Sequence, residues 1–154
     1  MNKFKNIISL ALLVCSSSII AANEASTLLM SQTKAGYSID FLNNDGVTGL
    51  QFDVSLSGAK MNDSALKSCV SGLPKTHTGS CSLLKNGDVR VIVFSTSNAI
   101  LDSGSIGNIN LSVNTVDNVS INKVLMGTPD MTAIKGDVLI DIDYKKPANE
   151  DLDK

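Results

Sequence analysis

Few side chains in this sequence could do chemistry. The one imidazole is His77. As a catalytic base it would need a nucleophile to deprotonate and a third group to orient its ring. Ser80 and Asp88 stand near it in sequence, but no strand-to-helix Gly-x-Ser-x-Gly turn accompanies them. A Ser/His/Asp hydrolase and a two-His metal site are therefore set aside, and His77 is expected to be a strand or loop histidine hydrogen-bonded locally. Asp141 and Asp143 share one face of an alternating segment, where paired carboxylates could act on a glycoside. Two residues apart on a terminal strand, they read instead as solvated edge charges that discourage sheet-to-sheet pairing. Arg90 interrupts an apolar run, either as a rim cation that snorkels or pairs with an Asp, or as a polar anchor on an exposed sheet face. No residue is assigned a catalytic or metal-binding role.

The cysteines carry more. There are three, Cys15, Cys69 and Cys81. Cys69 and Cys81 flank VSGLPKTHTGS, whose Gly72, Pro74 and Gly79 let the chain reverse direction. In an exported chain an even pair is expected to be a disulfide, worth about 3 kcal/mol on the chain-entropy model. A metal pair would need further ligands, which His77 alone does not supply.

Export is read from the N-terminus. Lys3 and Lys5 precede an apolar run from Ile7 to Val14, and small residues end at Ala21-Ala22 before Asn23-Glu24. This is the layout of a secretory signal peptide over residues 1–22, cleaved after Ala22. Ser16-Ser17-Ser18 breaks the apolar stretch short of the roughly 20 residues a spanning helix needs, so no transmembrane anchor is expected. Leu12-Leu13-Val14-Cys15 offers a second reading, a lipoprotein box lipidated at Cys15, although Val14 stands where a small residue is usual. Removal of residues 1–22 takes Lys3 and Lys5 with it. That leaves 11 basic against 15 acidic residues and a net charge of −4. An acidic balance offers nothing to nucleic acid, whose phosphates require a basic face.

The elements that would position these residues are strands. The 154 residues allow one domain, with 43% hydrophobic residues, 4% aromatic and no Trp, so the core must be aliphatic. Leu50, Phe52, Val54 and Leu56 alternate with polar residues, as do Tyr37, Ile39 and Phe41 before them. Asn43-Asn44-Asp45-Gly46 joins the two as a hairpin or tight corner. Residues 88–95 are apolar on both faces for most of their length, predicting a strand covered on both sides at least at Ile92 and Phe94. Asn86-Gly87 turns it back onto 81–84. Further strands are expected around 109–113, 119–124 and 137–143. A single helical turn fits 62–67.

About eight short strands with Gly, Asn and Asp at the corners predict an all-β sandwich or jelly roll. Residues 23–34 read as a leader, with 27–30 at most an edge strand, 35–144 as the domain, and 145–154 as a disordered charged tail. Phe41, Phe52 and Phe94 are core candidates. With Tyr37 and Tyr144 alone to spare, no flat aromatic platform for crystalline polysaccharide is expected.

Val47-Thr48-Gly49-Leu50-Gln51-Phe52-Asp53-Val54 resembles the second strand of cohesin-like domains. The resemblance continues at His77-Thr78-Gly79, Gly87 to Ser95, Ser97-Asn98-Ala99-Ile100 and Ser105 to Leu111, spanning roughly residues 35–143. It implies a nine-stranded jelly-roll β-sandwich, cohesin-like and of the non-cellulosomal kind. It also implies a non-enzymatic module that binds a protein partner, dockerin-like, or contributes to cell-surface assembly. The alternative on the same fold is a polysaccharide-binding module. Asn43-Asn44-Asp45-Gly46 lacks the alternating carboxylates of a calcium loop, so no cofactor is expected and calcium would enter only through a partner. The expected location is secreted or periplasmic.

Overall fold

The computed structural model describes residues 24–58, 66–67, 69–111 and 118–141. The signal peptide, Ala22 and Cys15, the 145–154 tail, Asp143 and Tyr144 lie outside them, as does most of the helical turn expected at 62–67. Leu66 and Lys67, its last residues, are helical.

Nine strands make up the described chain: β1 (Thr27–Thr33), β2 (Gly36–Leu42), β3 (Gly49–Ser57), β4 (His77–Leu83), β5 (Val89–Ser95), β6 (Gly104–Asn110), β7 (Asn118–Gly127), β8 (Ala133–Ile134) and β9 (Asp137–Asp141). They form two sheets, ordered β6-β2-β1-β9 and β4-β5-β3-β7-β8. The described pairings are antiparallel except β1 with β9, which run parallel.

Period-two alternation closes the sandwich. Leu28 and Met30 pair with Phe41 and Ile39 on the inner face of the four-stranded sheet. Leu50, Phe52 and Val54 pair with Val93, Val91 and Val89 on the inner face of the other. All are buried, so the core is aliphatic save for Phe41, Phe52 and Tyr37.

Two expectations are corrected, and one open choice is decided. Residues 27–33 are no leader: β1 has a partner on each side, because Leu28 and Met30 lie on one face opposite Phe41 and Ile39 and supply core. Of the two forms expected for Asn43-Asn44-Asp45-Gly46, the structure takes the tight corner, since β2 and β3 lie in different sheets. Asn43 ties it, donating Nδ2 to the Val47 and Leu101 carbonyls at 2.9 and 2.6 Å and accepting from the Val47 amide at 2.8 Å. β5 is central but covered on one side only. Val89, Val91 and Val93 are buried, Ile92 is half-buried, and Phe94 is 45% exposed.

Candidate functional site

Two strands place the most distinctive surface. On the outer face of the five-stranded sheet, cross-strand rows run Thr78–Phe94–Gly49–Gly127, then Ser80–Ile92–Gln51–Leu125. Gly49 and Gly127 have no side chains, so the sheet dips between Phe94 and the 54%-exposed Leu125. A Cβ on Gly49 would come 3.0 Å from the Val93 carbonyl oxygen and 3.4 Å from the Phe94 Cα. The depression holds about 290 Å³ and is floored by Gly49 and Gln51.

The next row along the sheet is charged. Asp53 and Arg90 are cross-strand neighbours, and Arg90 donates Nε to Oδ1 at 2.7 Å and Nη2 to Oδ2 at 2.8 Å. Lys123 Nζ approaches Oδ2 at 3.3 Å. It does so from a bulge: between Gln51 and Asp53 the β3–β7 register slips by one residue, and Lys123 takes a left-handed φ of 52°. Asp53 is fully covered by these two cations. The Arg90 hydrogen bonds hold its carboxyl below the usual range, burial pushes the other way, and Lys123 adds to the lowering. Two cations share one carboxylate, so the cluster carries one surplus positive charge beside the apolar dip.

The opposite face of the sandwich has the opposite sign. Outward positions on the four-stranded sheet include Leu42 beside Thr27 and Asp137, then Asp40 beside Leu29 and Leu139. Leu42 is 49% and Leu139 57% exposed. They flank a groove of about 580 Å³ reaching Glu24 and Asp137.

At the end of the sandwich the β7–β8 loop is tightly knit. Thr128 donates through its amide to the Thr132 carbonyl at 3.0 Å and through its hydroxyl to Asp130. Asn98 Nδ2 donates to the Pro129 carbonyl at 2.9 Å. The loop presents Met131, 94% exposed, at a left-handed φ of 63°.

Along one side a strap joins the two sheets. Cys69 and Cys81 form a disulfide, linking the 69–74 segment to edge strand β4. The Gly72 amide donates to the Ile106 carbonyl at 3.0 Å, on edge strand β6. Gly79 lies under Val70 and Leu73, and Gly107 under the Cys69 carbonyl.

The candidates read from sequence do not converge. His77 points inward and is buried; its Nδ1 lies 3.0 Å from the Thr76 hydroxyl, while Nε2 has no hydrogen-bond partner in the structure. Ser80 is exposed on β4, and Asp88 sits in the β4–β5 turn, accepting from Asn86 Nδ2 at 2.7 Å. Among the described residues no three of His, Cys, Asp and Glu gather as metal ligands. No helix among them is long and apolar enough to cross a membrane. Arg90 does pair with an Asp. What sequence reasoning missed is Phe94 and Leu125 as surface residues, and Lys123 as Asp53's second cation. Reading β5 strictly at period two from Arg90 places Ile92 and Phe94 on Arg90's outward side, which was the available signal.

No family model matches the chain, and no curated protein matches it. Solved structures do. A non-cellulosomal cohesin from the hyperthermophilic archaeon Archaeoglobus fulgidus superposes with a TM-score of 0.56 at 14% identity, over 78% of this chain and 92% of that one. A type II cohesin–X–dockerin complex from Acetivibrio cellulolyticus gives 0.53 at 8% identity, over 76% and 95%. A cohesin module from a Clostridium perfringens family 33 glycoside hydrolase gives 0.51 at 17% identity, over 77% and 97%. The fold is a cohesin-like jelly-roll sandwich, and at these identities the likeness is one of fold alone.

Proposed function

We propose that the protein is an exported, non-catalytic binding module that holds a protein partner on the outer face of its five-stranded sheet. The observation that carries this is the Phe94–Ile92–Leu125 surface, with Phe94 and Leu125 exposed and Ile92 half-buried, around the Gly49 dip beside a surplus cation. A central strand that spends Phe94 on solvent gives up core burial, and rimmed apolar patches of this kind mark contact sites. A fold shared with a cohesin solved in complex with a dockerin supports a protein as the partner. The disulfide supports an oxidising location, secreted or periplasmic. Any calcium would belong to the partner. One exposed Phe on this face is no platform for stacking a polysaccharide chain.

The test is an amide chemical-shift titration of the protein with a type II dockerin module, run beside soluble cellulose and chitin oligosaccharides. Shifts from the dockerin on β3, β5 and β7, lost in Phe94→Ser, are expected. Shifts from a sugar alone, or no response on this face to any probe, would overturn the reading.

A further inference from the structure

Charge is segregated by sheet. The strands β1, β2, β6 and β9 contain three carboxylates, Asp40, Asp137 and Asp141, and no Lys or Arg. The strands β3, β4, β5, β7 and β8 contain Arg90 and Lys123 against one carboxylate, Asp53. Each outer face also exposes apolar side chains of matching kind. Leu42 and Leu139 stand on the acidic face, and Phe94 and Leu125 on the cationic one.

We infer that copies of this chain stack head to tail, the acidic apolar face of one against the cationic apolar face of the next. This rests on reading the Phe94–Leu125 face as an interaction surface, and it names a second copy as an occupant of that face. Charge complementarity chooses the arrangement. Two cationic faces in contact would bring together two surplus positive charges, and two acidic faces would bring together the carboxylates of both copies with no strand cation between them. Only the mixed contact brings Asp40 and Asp137 toward the surplus cation at Lys123, while leucines meet the Gly49 dip. The two faces lie on opposite sides of a sandwich, so a mixed contact leaves a free face of each kind at the ends. Such a heterologous contact does not close into a dimer but propagates as an open chain. This gives a physical basis for cell-surface assembly in which one protein supplies both halves of the joint.

The experiment is sedimentation velocity on the protein isolated as its host processes it, from ~10 µM to ~1 mM, the range in which small interfaces associate. The expected result is a weight-average mass that climbs past the dimer, with association weakened several-fold between ~0.05 and ~0.5 M salt. Lys123→Glu alone and Asp137→Lys alone should each weaken association at least ~10-fold, by setting like charges face to face. An equimolar mixture of the two should restore it. Because Lys123→Glu also disturbs Asp53, Leu125→Ser and Leu139→Ser provide variants outside the ion pair, and each should reduce association when its melting curve shows it folded. A strict monomer at every concentration, a dimer that stops there, or a mixture that fails to restore association would each overturn the stacking. The dockerin titration reads the face independently. Dockerin shifts on β3, β5 and β7 from a strictly monomeric protein would sink the stacking and keep the face.

Discussion

Arg90 and Asp53 face each other across β5 and β3 as a two-pronged ion pair, at 2.7 and 2.8 Å, on the solvent side of a sheet whose other side is core. The fork geometry of a guanidinium matches a carboxylate's two oxygens, so the pair fixes both side chains as well as their charge. It is also the boundary of the candidate face, separating the rows at Gly49 and Gln51, which hold Phe94, Ile92 and Leu125, from the rows at Ser55 and Ser57.

The pair sets a pH dependence. Asp53's carboxyl is held below its ordinary value in the folded state, chiefly by Arg90. Its contribution is therefore complete above the unfolded value near pH ~3.9 and is lost as pH falls through the folded value. Asp45, lowered by the Ser26 amide, and Asp130, lowered by Thr128, act with the same sign. Melting temperatures from pH 7 to pH 2 should fall below about pH 4. The fall should be shallower in Asp53→Asn than in the wild type. Equal slopes would show that the ion pair adds nothing to the folded state.

The same residues show what was legible. Alternation in 36–42 and 50–57, the Asn86-Gly87 turn and the two cysteines each follow from short-range chemistry, and each stands in the structure as a strand, a hairpin or a disulfide. Residues 27–33 were harder, since their second partner, β9, lies more than a hundred residues away and its pairing leaves no local mark. Phe94 misled for a related reason. Hydrophobicity signals burial only on average, and Phe94, 45% exposed on the outer side of β5, departs from that average. Lys123's role depends on a one-residue slip between β3 and β7, which no pattern within β7 announces.

The strap makes a second prediction. Cys69 is buried and joined to Cys81 on the β4 edge. Replacing both by Ser should cost about 3 kcal/mol, the entropy regained by a loop of this length in the unfolded chain. Chemical denaturation with and without a reductant measures it, and the unreduced protein should titrate no free thiol from this pair. A midpoint indifferent to reductant would show the strap held by packing alone.

Close approach on the same strap gives a third. A Cβ on Gly107 would overlap the carbonyl of Cys69, and one on Gly72 that of Ser105. Both obstacles are backbone, which cannot rotate aside, so Gly107→Ala should destabilise by about 2 kcal/mol or more. Gly87→Ala makes the control. Its Cβ would meet nothing, but its φ of 89° disfavours a side chain, so the loss should be smaller, about 1 kcal/mol.

Met131 supplies the last prediction, and it runs toward greater stability. The side chain is almost wholly in solvent, so substitution sacrifices little packing. The backbone, however, holds a left-handed φ of 63°, which costs an ordinary L-residue about 1 kcal/mol and Asn considerably less. The turn is secured by groups the substitution leaves in place: the Thr128 and Asp130 hydrogen bonds, the Met131 amide on the Thr128 carbonyl, and the Asn98 bridge to Pro129. Met131→Asn should therefore raise the unfolding free energy by about 0.5 kcal/mol and leave the Phe94–Leu125 face undisturbed. A thermal melt reads the first effect, and an amide spectrum with shifts confined to 128–134 reads the second. A loss of stability would mean that the Met side chain packs where the structure leaves it in water.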